Sequence, residues 1–237
     1  MEDFVEFQLN TPSGVKKLLH RGTAADNGVL NQIFNSQDYH PNRLRRGPQI
    51  LSFYQSVFDN GGQPLIIDCG ANMGASPVWF STAYPDAVVV AIEPEKGNYD
   101  LLVQNTMGMR IETHMAAIGS RDGQVHVFDP GNGEWGYQAS VEGSGPVVAQ
   151  LSMRDLVVAN MAKGRTPFIA KIDIEGGERE LFSQATEWID FFPLIIIELH
   201  DWLLTGTGNS RNFIKSIASS DRDFVHVGEN VFSIRNF

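Results

Sequence analysis

Four largely apolar runs of strand length mark the chain: Leu65-Ile66-Ile67, Ala87 to Ile92, Phe168 to Ile172 (interrupted by Lys171) and Leu194 to Ile197. Short apolar runs bounded by turn residues are expected for parallel strands covered on both faces. Between them, apolar residues recur at helical spacing. One helix is predicted from Ser76, with Pro77 in its first turn, to about Tyr84. Another opens at Pro94 and runs to about Thr106, a third runs from Ser152 to just before Gly164, and a fourth from Arg179 to Ala185. Arg110 to Ala116 reads as a further strand. Asp122-Gly123 predicts a hairpin turn into the alternating Val125-His126-Val127-Phe128. Phe224 to Val227 and Asn230 to Ile234 form a terminal hairpin around Gly228-Glu229-Asn230, after a helix carrying Phe213, Ile214 and Ile217. The alternation predicts an α/β fold: a mostly parallel sheet, helices on both faces, and an antiparallel hairpin at its end.

Two stretches fall outside this rhythm. Residues 1–62 read as an N-terminal appendage and possible lid, and residues 63–237 as the sheet domain. In the appendage, Phe4 to Leu9 and Gly14 to Leu19 suggest a hairpin, and Asn27 to Phe34 and Ile50 to Phe58 suggest helices, the second stopped at Asp59-Asn60-Gly61-Gly62. The cluster Arg43-Leu44-Arg45-Arg46 is either a solvated patch or an anion-holding lid that Tyr39 and His40 would share. Residues 129–146 are Gly-rich and read either as a substrate-facing loop walled by Trp135 and Tyr137 or as a mobile surface loop.

Charge and cysteine content narrow the picture. Among 237 residues, 18 Lys and Arg face 28 Asp and Glu, a net charge of −10. A nucleic-acid binder would need a basic face, so nucleic acid is disfavoured as a partner. The single cysteine, Cys69, excludes an intrachain disulfide framework and fits a reducing, cytoplasmic setting. It reads as a small buried spacer rather than a nucleophile. The N-terminus lacks a basic-then-apolar signal pattern, and no run is long enough to span a bilayer.

The chemistry concentrates where the apolar runs end. Asp68-Cys69-Gly70-Ala71-Asn72-Met73-Gly74 turns the first strand into a helix. Gly70 and Gly74 permit a sharp turn and close approach of a ligand, and Asn72 tolerates a left-handed backbone. The dinucleotide pattern G-x-G-x-x-G is absent. The second strand ends in Glu93-Pro94, close to the roughly 20-residue spacing at which an acid meets ribose hydroxyls. Together the two motifs predict a nucleoside site. Ala117, at the end of the third strand, offers a small surface for a flat ring or simply packs on a helix. The later strands become ionic at Asp173 and Glu175, and at Glu198 and His200. Each pair is two residues apart and so lies on one side of an extended strand. In a parallel sheet these ends share one edge with Asp68 and Glu93.

Three blocks carry a family likeness: Ile67-Asp68-Cys69-Gly70-Ala71-Asn72-Met73-Gly74; Ala91-Ile92-Glu93-Pro94; and Lys171-Ile172-Asp173-Ile174-Glu175-Gly176-Gly177-Glu178, with Ile197-Glu198-Leu199-His200 downstream. The chain resembles the FkbM-type S-adenosylmethionine-dependent methyltransferases over about residues 64–202, departing at Gly177, where members commonly carry Ala. The resemblance implies a class I, Rossmann-like sheet of seven strands. It implies that Asp68, Gly70, Ala71, Asn72 and Gly74 line the methionine part of S-adenosylmethionine, that Glu93 and Pro94 hold the ribose end, and that the acceptor is a hydroxyl of a small molecule, sugar or glycan.

For methyl transfer, His200 is the expected base, because an imidazole titrates near neutrality, with Glu198 or Asp173 orienting it. A rival reading places Mg²⁺ on Asp173, Glu198 and Asp201, with no tight ligand motif behind it. A non-catalytic S-adenosylmethionine-binding module and an NAD-dependent oxidoreductase are the alternative functions. Oligomeric state is not encoded legibly.

Overall fold

The computed structural model describes residues 4–11, 14–131, 133 and 136–236. The chain opens with an antiparallel hairpin, β1 (Val5–Thr11) and β2 (Gly14–His20), then α1 (Ala24–Leu30). Helix α1 is capped by the Thr23 side chain and runs on into a π-helical turn, Asn31–Asn35. After α2 (Gly47–Asp59) the sheet begins with β3 (Gln63–Cys69), α3 (Ala75–Ala83), β4 (Val88–Glu93), α4 (Lys96–Thr106) and β5 (Ile111–Gly119). Strands β6 (Gly123–Phe128), β7 (Gln138–Ser140) and β8 (Val147–Ser152) follow, then α5 (Met153–Ala162) and β9 (Arg165–Ile172). The chain closes with α6 (Glu178–Leu181), β10 (Leu194–Glu198), α7 (Arg211–Ala218), β11 (Arg222–Val227) and β12 (Asn230–Arg235).

Ten strands form one sheet in the order β11-β12-β10-β9-β3-β4-β5-β8-β6-β7. Seven of them, from β11 through β5, make the expected sheet. Strands β4, β3, β9 and β10 run parallel, β5 joins them in parallel, and β12 and β11 are the antiparallel end. The three further strands extend the sheet beyond β5. The predicted turn at Asp122-Gly123 reverses the chain, but β6 does not pair with β5. Strand β8 lies between them, parallel to β5 and antiparallel to β6. Local turn chemistry specifies the reversal and leaves the neighbour to be chosen by packing. Part of the expected 129–146 loop is β7, and Trp135 lies outside the described residues.

The central strands are largely apolar because their alternate residues meet two cores, with the buried Asp68 and Lys171 as exceptions. Ile66, Val89 and Ile196 face one core; Leu65, Ile67, Val90 and Ile197 face the other. The first core also contains Leu18, Leu30, Ile33, Tyr39, Leu44 and Ile50, so residues 18–50 pack into the sheet domain itself. The second is closed by Val157, Trp188 and Phe213.

Two predicted helix boundaries shift for visible reasons. Helix α3 starts after Gly74, which takes the cap position with φ of 95°, while the Ser76 hydroxyl donates to Asp68 instead of capping. The helix expected through Ala185 stops at Leu181 after one turn, and Ala185 itself has φ of 52°. Among the described residues, no helix is long and apolar enough to cross a membrane.

Candidate active site

Strand order reverses at β3, which has β4 on one side and β9 on the other, and such a switch point opens a crevice at the strands' carboxyl ends. A cavity of about 1240 Å³ occupies it. Single small-ligand pockets span about 300–1,000 Å³, so this one has room for a cofactor and an acceptor together.

The turn after β3 builds one wall. The amides of Gly70 and Ala71 both donate to the Ile92 carbonyl oxygen at 3.0 Å, which clamps the turn to β4. Gly70 has φ of 79°, and a Cβ there would overlap the Asp173 carbonyl oxygen. Asn72 takes the left-handed backbone expected of it, with φ of 48°. Glu93 is buried. Its Oε2 accepts from the Asn72 amide at 2.8 Å and its Oε1 from the Glu95 amide at 2.9 Å. Burial pushes the Glu93 carboxyl up to about 7, against the pull of those two amides.

Gly70, Ala71, Asn72, Glu93, Pro94 and Ala117 line the cavity. Asp68 and Gly74 do not. The Asp68 carboxylate is fully buried behind the turn, where Oδ2 accepts from the Ser76 hydroxyl at 2.6 Å and Oδ1 lies 3.2 Å from Lys171 Nζ. Gly74 faces α4, its missing Cβ making room for Leu102. Both shape the turn from behind.

Beyond β9 lies the second wall. Asp173 and Glu175 do not face one side through strand alternation, because β9 ends at Ile172. They come together through a turn in which Glu175 has φ of 50°. Their carboxylates converge with that of Glu198 on His200. His200 Nε2 lies 3.5 Å from Glu175 Oε2, 3.6 Å from Asp173 Oδ1 and 3.6 Å from Glu198 Oε1. Asp173, Glu175 and Glu198 line the cavity; His200 is fully buried behind them. Its Nδ1 meets Glu178 Oε1 at 2.6 Å, and Glu178, also fully buried, accepts from Asn209. Burial disfavours a charged imidazole, but Glu175 and Glu178 outweigh it and push His200 up to about 11. A ring so placed and so charged does not reach an acceptor as a free base, which departs from the role expected of it. Burial, followed by the charge of Asp173, pushes Glu198 up to about 8.

Lys171 and Glu178 carried no expected site role, and Glu175 was expected at the ionic strand edge without a specific one. The signal for Glu178 was present, an acid within the block that carries Asp173, but its partner lies 22 residues downstream. Asp201, proposed for Mg²⁺, accepts from the Ser210 amide at 3.1 Å. The basic cluster also does other work. Arg43 pairs with Asp38, and Arg46 binds Asp223, Asn236 and the Arg235 carbonyl oxygen, so Arg46 pins the N-terminal segment to the terminal hairpin and neither arginine lines the cavity. Tyr39 does line it, as does Tyr137.

A sheet ordered in this way, with an acid ending its second strand over a cavity of cofactor size, defines the class I S-adenosylmethionine-dependent methyltransferases. The family model described as the methyltransferase FkbM domain matches residues 68–224, well over half of the chain. The chain therefore belongs to the FkbM methyltransferase family, which removes the oxidoreductase alternative. Among solved structures, it is similar to an O-methyltransferase from Bacillus cereus in complex with SAH, at 14% identity over 88% of this chain and 91% of that one, with a TM-score of 0.46. A methyltransferase from Geobacter sulfurreducens is 16% identical over 90% of this chain and 91% of that one, with a TM-score of 0.39. No curated protein matches the chain.

Proposed function

We propose that the protein methylates a hydroxyl oxygen of a small molecule, sugar or glycan. The observation that carries this reading is the convergence of three carboxylates, Asp173, Glu175 and Glu198, in the wall of the same cavity that Glu93 lines. An unactivated hydroxyl must lose its proton as it attacks, and a carboxylate wall gives that proton a destination. Carboxylates also orient hydroxyl groups by accepting from them.

S-adenosylmethionine, when bound, supplies a methyl group on a sulfonium that an in-line nucleophile can take. The chain's residues fit its nucleoside end: Glu93 presents a buried carboxylate for the ribose hydroxyls, and Ala117 leaves a flat surface for the ring. Glu198 is the residue we assign to the acceptor's proton, because it lines the cavity. Asp173 orients the acceptor, and His200 is a positioning residue that holds the carboxylates at their separations. Holding acceptor and methyl group within attack distance supplies much of the rate in such displacements. Within residues 1–62, Val29, Ile33 and Tyr39 supply part of the cavity wall.

The test is methyl-labelled S-adenosylmethionine with a panel of hydroxylated acceptors, following S-adenosylhomocysteine release and product structure. An O-methylated product, with Glu198→Gln losing about 10²–10⁴-fold in kcat while S-adenosylhomocysteine affinity is kept, supports the reading. N- or C-methylated products would overturn the hydroxyl assignment. Cofactor binding with no turnover on any acceptor would leave a binding module.

A further inference from the structure

His200 Nε2 has no hydrogen-bond partner among the described residues, although the residue is fully buried. It is aimed at three carboxylate oxygens at 3.5–3.6 Å. An N–H···O hydrogen bond closes to about 2.9 Å, so these separations are too long for one. They suit ligands sharing a cation. Two ligands on a tetrahedral ion at about 2.0–2.1 Å each stand about 3.4 Å apart. Glu175 Oε2 is likewise buried without a hydrogen-bond partner. One ligand atom each from Asp173, Glu175 and His200 lies within 4.8 Å of the others.

The other side of the ring is built for the same task. With Nδ1–H donated to Glu178, Nε2 is the nitrogen that points at the carboxylates, and a cation arriving there would take the place of the proton the imidazolium carries on it. A carboxylate behind the non-ligating nitrogen fixes the tautomer and orientation of metal-binding histidines. Charge agrees. Asp68, Asp173, Glu175, Glu178 and Glu198 are linked through Lys171 and His200, so five acids meet two basic groups.

We infer that Asp173, Glu175 and His200 form a binding site for a divalent transition-metal cation at the cavity wall. An imidazole ligand among carboxylates favours Zn²⁺ or Mn²⁺ over the all-oxygen preference of Mg²⁺ and Ca²⁺. Three protein ligands leave a fourth position, the arrangement of catalytic rather than structural sites. Glu198 stands beside the imidazole nitrogen and takes no part in the triad. An acceptor hydroxyl held at the fourth position would be acidified by the cation and could pass its proton to Glu198. The cation's catalytic role rests on the methyl-transfer reading above; its binding does not.

The experiment uses the full chain after treatment with a chelator. Binding of Zn²⁺, Mn²⁺, Mg²⁺ and Ca²⁺ is followed by calorimetry and by thermal shift without cofactor, and S-adenosylhomocysteine affinity is measured in parallel. One equivalent of Zn²⁺ or Mn²⁺ should bind at least about tenfold more tightly than Mg²⁺ or Ca²⁺ and raise Tm. Glu175→Gln should weaken binding about 10–100-fold, as should His200→Ala, while Asp201→Asn should not. Glu175→Gln keeps the buried His200–Glu178 pair, so it remains informative if His200→Ala does not fold. No binding at millimolar cation, equal affinity for Mg²⁺, or binding that survives Glu175→Gln would overturn the site, as would binding lost only in Asp201→Asn. Intact S-adenosylhomocysteine binding without any cation binding would sink this inference alone. Cation binding without methyl transfer to any acceptor would sink the hydroxyl reading alone.

Discussion

Lys171 and Asp68 face each other in register across β9 and β3, with Nζ 3.2 Å from Oδ1 and both side chains buried. Nζ also donates to the Gly70 carbonyl oxygen at 2.7 Å, so the pair ties the cofactor turn to the strand that leads to Asp173. Burial pulls the ammonium down, but Asp68 and its neighbours hold it well above its usual value, so it stays charged. Removing one member of a buried pair strands the other. Lys171→Met should cost about 3–5 kcal/mol, and Asp68→Leu in the same chain should recover part of it. Urea unfolding of the two variants checks this; a loss under about 1 kcal/mol in the single variant would show the pair to be incidental.

Glu93 predicts how cofactor affinity responds to acid. The carboxylate form accepts ribose hydroxyls, and burial raises its pKa to about 7 in the free protein. Binding below that value must expel a proton. The Kd for S-adenosylhomocysteine should rise about tenfold per unit as pH falls below 7, and stay flat above it. Glu93→Gln should bind more weakly and lose the slope. The stability of the free protein runs the other way. A folded pKa raised above the unfolded one gives a contribution that is present below the unfolded pKa and lost as pH rises through about 7. Calorimetry from pH 5.5 to 8.5 tests both signs.

Arg46 joins the start of α2 to β11 and β12 through Asp223, Asn236 and the Arg235 carbonyl oxygen. Because Asp223 is half exposed, solvent screens its share. Arg46→Ala should lower stability by about 1–2 kcal/mol, mostly through the lost hydrogen bonds. Cofactor affinity should stay within about twofold, since the guanidinium lies outside the cavity. A tenfold loss of affinity at unchanged Tm would restore an anion-holding role to the cluster.

Gly70 and Gly108 separate backbone strain from steric overlap. Both have left-handed φ, 79° and 76°, but an added Cβ meets the Asp173 carbonyl oxygen at the first and open space at the second. Gly108→Ala should cost about 1–2 kcal/mol and leave the cavity alone. Gly70→Ala should cost more and weaken S-adenosylhomocysteine binding, because the β3 turn and Asp173 must move apart. Equal losses in the two variants would contradict the close approach.

How far the sequence reached depended on the range of the information. Ile66 and Ile67 meet opposite cores, so an unbroken apolar run was a faithful sign of a central parallel strand. Gly70, Asn72 and Glu93 were legible because turn geometry and strand ends are local properties. The partner of β5 was not, since β8 is inserted from beyond the 129–146 segment and no turn residue specifies it. His200 illustrates the limit best. Its residue type suggested a base, but its burial, its bond to Glu178 and its ring of acids are set by β9, β10 and α6 together. Arg46 failed for a similar reason: its partners lie at the far end of the chain.

Cys69 closes β3 between β4 and β9, with its thiol fully buried and its pKa raised by burial. A thiol that is neither reachable nor ionised is silent toward alkylating reagents until the centre of the sheet opens. As the chain's single cysteine, it is a built-in clock for that opening. Its labelling rate reads how often the most protected strands part, without any engineered probe. A ligand gripping the adjoining turn should slow that clock in proportion to its affinity.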